Sequence, residues 1–292
     1  MNRTLRPLAR RAQGTPPPRI LAQRARFSAP TTASLSPRWL SDLKTRIGKC
    51  ILFGLDGAQT GEAGAILHEV NAHWRDMLAG SEGFLTGKDR WGLYRQQVQW
   101  GEMDSMVRRT ADAHAGVDFV IGHVNNVTYN RWAESARVNW GMNFAAVDVE
   151  HRDEWRALVT PTEIGMILRS IRTDYKFPIK FPDRVTVLHK LRTKPEADTD
   201  HFILDVLILS ELHRRVAARC VEDIVIYDYR AAKKSAMKPF MVEMLKRTFE
   251  QQEQAKEKYG NKALDLIRRV QELEKSSWDR PDAKEDFGNA NP

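Results

Sequence analysis

The segment that most constrains this chain is a junction between a polar turn and a helix. It reads Gly122-His123-Val124-Asn125-Asn126-Val127-Thr128-Tyr129-Asn130-Arg131-Trp132-Ala133-Glu134-Ser135-Ala136-Arg137. A glycine, a histidine and two asparagines suit a tight loop. Tyr129, Trp132, Ala133, Ala136, Trp140 and Phe144 then recur at helical period and make one apolar stripe. The spacing predicts a helix over about Val127 to Val147 that lays this stripe on a sheet. A polar turn feeding a helix N-terminus presents N–H groups and the positive end of the helix dipole. Such a site suits an oxygen that gains negative charge during a reaction.

Five strand-like runs surround that helix. Leu93–Trp100 precedes it, and Ile164–Tyr175, Arg184–Arg192, Phe202–Leu212 and Val216–Tyr229 follow. Phe202, Leu204, Val206 and Ile208 alternate with Ile203, Asp205, Leu207 and Leu209, so both faces of the fourth run are mostly apolar. That run is expected at the centre of a sheet covered on both sides. Pro182-Asp183 and Ala197-Asp198-Thr199-Asp200 mark turns.

The run from Gly122 to Arg137 resembles the start of the central helix in hot-dog-fold thioesterases of the 4-hydroxybenzoyl-CoA thioesterase type. Their pattern is roughly Asp-x-x-Gly-His-Val-Asn-Asn-x-x-Tyr, then an aromatic, an acidic residue and an arginine. The resemblance covers about residues 90–235. It implies an α+β hot-dog fold, an antiparallel sheet wrapped around a long central helix, here with N- and C-terminal helical extensions. The turn Trp100-Gly101-Glu102-Met103-Asp104 resembles the family's acidic turn, which makes Asp104 the motif aspartate. Gly122 does not follow it three residues later, because fifteen residues, Val107 to Ile121, are inserted.

Thioester hydrolysis needs polarisation of the carbonyl oxygen and attack by water or a carboxylate. Backbone N–H groups around Gly122 and the helix start suit the first task. Asp104 is the expected base or nucleophile, by resemblance. Asp118, inside the insertion, is the reserve, although a turn or strand-cap role fits it somewhat better. His123 either orients water or donates to the thioester oxygen, or it holds the loop by a structural hydrogen bond. Asn125 and Asn126 match the family's paired asparagines, with helix capping the simpler role for Asn126. Glu134 is a second reserve, since some related thioesterases use a helix glutamate. Its simpler role is an ion pair with Arg137 or Arg131.

Charge is unevenly placed. Arg3, Arg6, Arg10, Arg11, Arg19, Arg24, Arg26 and Arg38 precede the first acidic residue, Asp42, and the net charge of the whole chain is +8. The remainder is close to neutral and has no excess to drive nucleic-acid binding. An arginine-rich, acid-free start with Ser, Thr and Ala reads as a mitochondrial targeting leader, with Arg26-Phe27-Ser28 resembling a matrix-protease site. Cys50 and Cys220 are far apart and near no histidine cluster, so neither a zinc site nor a disulfide framework is expected. His68 and His73 follow the wrong spacing for a zinc-protease helix. No cofactor or metal is called for. No apolar run approaches the roughly 20 residues that cross a bilayer.

The expected organisation is a leader and linker over 1–36, a helical extension over 37–90 and a hot-dog domain over 91–235. Helices over 236–275 and a disordered tail over 276–292 complete it. Ala65, Leu67, His68, Val70, Trp74 and Met77 are the expected stripe of the extension, and a second amphipathic helix is expected after Gly260. The expected function is an acyl-CoA or acyl-carrier-protein thioester hydrolase of the mitochondrial matrix, at least a homodimer. The alternative is a non-catalytic hot-dog protein serving as a scaffold or subunit of a mitochondrial assembly.

Overall fold

Residues 35–103 and 122–285 are described by the computed structural model of the protein. Asp104, Asp118, residues 1–34 of the expected leader and residues 286–292 lie outside them. The chain runs α1 (Trp39–Leu52), α2 (Gly57–Gly80), β1 (Leu93–Gln97), α3 (Asn126–Val147), α4 (Arg152–Ala157), β2 (Ile164–Tyr175), β3 (Arg184–Leu191), β4 (His201–Ser210), β5 (Arg215–Asp228), β6 (Lys233–Lys234) and α5 (Pro239–Ser276). A short 3-10 turn, Trp100–Glu102, follows β1 and shortens the strand expected to reach Trp100.

The sheet is antiparallel in the order β1-β3-β4-β5-β2, with β6 on β5. A helix inserted between the two edge strands, then three strands filling the sheet between them, is the hot-dog arrangement, and β4 is central as its two apolar faces require. Side chains alternate across the pleat. Val185, Val187 and Leu191 of β3, Phe202, Leu204, Val206 and Ile208 of β4, and Ala218, Cys220, Ile224 and Ile226 of β5 share one face. These pack with the α3 stripe Tyr129, Trp132, Ala133, Ala136, Trp140 and Phe144, all buried.

Leu188, Leu207 and Leu209 point to the opposite face and join a separate core built by α1, α2 and the C-terminal half of α5. The sheet is therefore sandwiched, with α3 on one side and the terminal helices on the other. Arg–carboxylate forks tie this second layer together and to the sheet: Arg46 to Glu274, Arg75 to Glu211, and Arg219 to Glu82.

Two local expectations are corrected. The buried stripe of α2 is Ala63, Ile66, Val70, Trp74 and Met77, while Ala65 and His68 face outward. Asp56 caps the helix, its carboxylate and Gln59 forming a reciprocal capping box, and the buried face follows the residues that recur at helical period from Ala63 to Met77. Gly260 does not separate two helices. It is buried inside the unbroken α5, because the apolar residues on either side of it follow one helical period: Met241 and Leu245 before it, Ala263, Leu266, Val270 and Leu273 after it. No helix among the described residues is long and apolar enough to cross a membrane.

Candidate functional site

The Gly122–Asn126 turn is fixed from three sides. Val124 forms an antiparallel bridge with Met103, and the Asn125 N–H donates to the Glu102 carbonyl at 2.9 Å. The Val124 N–H donates to the Ile179 carbonyl at 2.8 Å. On the helix side, the Tyr175 hydroxyl from β2 donates to the Asn126 carbonyl at 3.1 Å. Buried Tyr129 completes the clamp: its hydroxyl accepts from the Ile179 N–H at 3.0 Å. Tyr129 was legible as an apolar stripe residue, but its polar tip holds the loop beneath the turn.

Asn125 caps α3. Its side-chain oxygen accepts from the Val127 N–H at 2.9 Å, and its carbonyl accepts from the Thr128 N–H at 2.9 Å. Capping thus falls to Asn125 and not to Asn126, which is the first helical residue and is exposed. Among the described residues, nothing accepts from the N–H groups of Gly122, His123 or Asn126. These donors, with the positive end of a 22-residue helix, are placed to polarise an oxygen set before the turn.

His123 is exposed, and its Nδ1 lies 2.9 Å from the Val124 carbonyl. A carbonyl only accepts, so Nδ1 carries the proton. The neutral ring then presents the Nε2 lone pair to solvent. His123 is thereby arranged to accept a proton or orient water. Donation to a thioester oxygen by the neutral ring does not fit this tautomer.

Asp104 follows Met103 directly, at the point where the chain leaves the described residues beside Val124. Its expected role and that of Asp118 fall on residues outside the described set. Glu134 is exposed and, among the described residues, pairs with neither Arg131 nor Arg137. Arg137 turns inward and donates to Glu222 at 2.7 Å. Glu222 has no exposed surface, and His189 Nε2 lies 3.4 Å from its other oxygen. The buried carboxylate needs the guanidinium more than the surface glutamate does, which corrects the expected helix ion pair.

The rim of the turn is apolar. Trp100 is 62% exposed and Val127 56%. Trp100 meets Phe181 edge-on, with ring centroids 5.7 Å apart. Exposed large apolar groups gathered around a polar turn suit an acyl chain or a partner subunit. Neither cysteine is a candidate nucleophile: burial pushes the Cys220 thiol up to about 11 and raises that of Cys50 as well. Among the described residues, no group of three or more His, Cys, Asp or Glu side chains gathers as a metal site.

Comparison with known proteins places this part of the chain in a family. Solved structures of similar fold include a probable thioesterase from Escherichia coli, 22% identical over 53% of this chain and 94% of that one, with a TM-score of 0.36. A thioesterase from Thermus thermophilus complexed with coenzyme A and zinc is 16% identical, covering 55% of this chain and 95% of that one, TM-score 0.38. The 1,4-dihydroxy-2-naphthoyl-CoA thioesterase from Synechocystis is 17% identical, covering 52% and 93%, TM-score 0.38. No curated protein matches. The profile of the thioesterase-like superfamily matches residues 98–245, slightly more than half of the chain, including the Gly122 turn, α3 and the whole sheet after β1. The chain belongs to the thioesterase-like superfamily.

Proposed function

We propose that the protein hydrolyses acyl thioesters of coenzyme A or of acyl-carrier protein, in the mitochondrial matrix. The observation that carries this reading is the Gly122 turn, held on three sides while, among the described residues, nothing accepts from the N–H groups of Gly122, His123 and Asn126. The thioester oxygen rests against those donors. Asp104, by resemblance, takes a proton from water as the water oxygen bonds to the carbonyl carbon, or attacks that carbon itself to give an anhydride that water hydrolyses after the thiolate has left. The tetrahedral oxyanion gains charge where the donors and the helix dipole point. Its collapse breaks the carbon–sulfur bond, and the thiolate leaves and is protonated. His123 Nε2 orients the water.

A homodimer completes the site in this reading, with the aspartate and the helix N-terminus drawn from different subunits. The matrix location rests on the eight arginines before Asp42. N-terminal sequencing from the native source should find a mature start near Ser28, and an intact Met1 on a cytosolic protein would overturn it. The activity is tested by thiol release from a panel of acyl-CoA and acyl-carrier-protein thioesters by the purified protein. Absence of hydrolysis across the panel removes the enzyme reading in favour of a non-catalytic scaffold.

A further inference from the structure

A cavity of about 580 Å³ opens where α2 meets the ends of β1, β3 and β4. Its charged lining is Arg75, Arg95, Arg184 and Arg214 against Asp183 and Glu211. Both carboxylates are already spent. Glu211 is forked by Arg75 at 2.7 and 2.8 Å and accepts from the Thr186 hydroxyl at 2.5 Å. Asp183 is buried and accepts from the Ser210 hydroxyl and from the N–H groups of Arg184 and Leu212. Arg95 reaches Glu211 only at 3.9 Å, and among the described residues Arg184 and Arg214 reach no carboxylate. With Arg75 and Glu211 paired, three guanidinium groups line one open space against the single carboxylate charge of Asp183, whose hydrogen-bond partners are all neutral.

Two further features accompany this cluster of arginines. Arg95 and Arg214 both have positive φ, 52° and 50°. Only one other non-glycine residue among those described, Ala232, shares that conformation. Left-handed backbone costs free energy in an arginine, and such strain gathers at ligand clamps. Burial, and then the nearby Arg214 charge, pushes the Lys44 ammonium below the usual lysine range. Phe181 and Leu212, both exposed, supply an apolar rim.

We infer that this cavity binds the phosphates of a nucleotide-type ligand, with the base resting on Phe181 and Leu212. Guanidinium forks match phosphate oxygens in geometry and charge, and one phosphate would leave part of the surplus unmet. The ligand has two possible sources: the nucleotide end of coenzyme A, or a free nucleotide that regulates the protein. The first source has a geometric argument. Ile179 touches Val124 of the turn, and Asp183 lines the cavity. These residues are four steps apart, so at most about 14 Å of chain separates the two places. That the nucleotide is the substrate's own end rests on the thioester reading; that the cavity holds phosphate does not.

Calorimetry on the full-length protein with coenzyme A, ADP and pyrophosphate tests the site. The key variant is Arg95→Gly with Arg214→Gly, which removes two charges and relieves two strained backbone positions. Binding should weaken at least about tenfold, while the melting temperature holds or rises. Wild-type protein that binds none of the three probes, or a variant that binds them unchanged, overturns the inference. A merely structural role for the two arginines predicts a lower melting temperature instead. For the source, hydrolysis of acyl-CoA is compared with that of the matching acyl-pantetheine. A rise in KM for acyl-CoA alone, with kcat unchanged, assigns the substrate's nucleotide end. ADP binding that coenzyme A does not displace assigns a free nucleotide. If nothing is hydrolysed, the thioester reading fails while the calorimetry still decides the cavity.

Discussion

Gln252 and Leu191 exchange two hydrogen bonds: the Leu191 N–H donates to Gln252 Oε1 at 3.0 Å, and Gln252 Nε2 donates to the Leu191 carbonyl at 3.0 Å. A side-chain amide from α5 thus stands in for a neighbouring strand. It is needed because β1 pairs only with the first part of β3, from Arg184 to Val187, and Leu191 turns its polar groups away from β4. Gln252 is 2% exposed, so water cannot substitute for it.

Gln252→Ala should therefore leave a buried donor and a buried acceptor unmet. About 1–3 kcal/mol is expected for each unsatisfied group. Urea unfolding should show the loss, and kcat should hold, since the residue is remote from the Gly122 turn. Unchanged stability would mean that the strand end is open to water.

Arg137→Ala strands Glu222, whose side chain has no exposed surface. Removing one partner of a buried ion pair costs about 3–5 kcal/mol. Thermal unfolding checks this. Arg137→Ala with Glu222→Gln should recover much of the loss, because the unpaired charge is gone.

Asp104→Asn should reduce turnover by about 10²–10⁴-fold, the range of general-base assistance, without lowering the melting temperature. Deleting Val107–Ile121 should be tolerated. It leaves Asp104, Ser105, Met106, Gly122 and His123 between the paired residues Met103 and Val124, a five-residue connection of ordinary hairpin length. Loss of activity on deletion together with full activity in Asp104→Asn would transfer the base role to Asp118.

The Asp148–His151 pair sets a pH signature. The hydrogen bond with Asp148, 3.2 Å away, raises the His151 pKa above the usual histidine value. Burial pushes the Asp148 carboxyl up, but hydrogen bonds from Trp155 and His151 outweigh it and the net shift is down. A raised histidine stabilises the fold below its unfolded pKa and loses that contribution as pH rises through the folded one. A depressed aspartate does so above its unfolded pKa and loses it as pH falls. The pair therefore contributes most between roughly pH 4 and 6.5. A histidine NMR titration should place the His151 midpoint above the free value, and Asp148→Asn should return it to normal.

Self-association is expected through β2. It is a 12-residue edge strand, antiparallel to β5 on one side only, while the other edge, β1, has five residues. Long open edges are pairing sites. Sedimentation at micromolar concentration should show a dimer, and a strict monomer would remove the two-subunit site.

Local pattern made much of the fold legible. The bounds expected for Ile164–Tyr175 are those of β2, and the α3 stripe is buried residue for residue. Period-two and period-3.6 signals carry that information within a single segment. What the sequence hid is set by contacts between distant segments. Glu222 is 85 positions from Arg137, so a helix glutamate looked like the nearer partner. Asn125 and Asn126 are chemically identical, and only the bridge to Met103 decides which of them caps. The arginine cavity draws on α2, β1 and two separate turns, none of which reads as a motif alone. The turn donors were legible because glycine, histidine and asparagine announce a loop, whereas the supporting hydroxyls of Tyr129 and Tyr175 were not.

The second helical layer has a consequence for stoichiometry. An uncovered sheet leaves an apolar outer face on which another copy could dock. Here Leu188, Leu207 and Leu209 on that face are already packed under α1, α2 and α5. Among the described residues, the chain thus supplies its own covering for that face, which is not offered to a second copy.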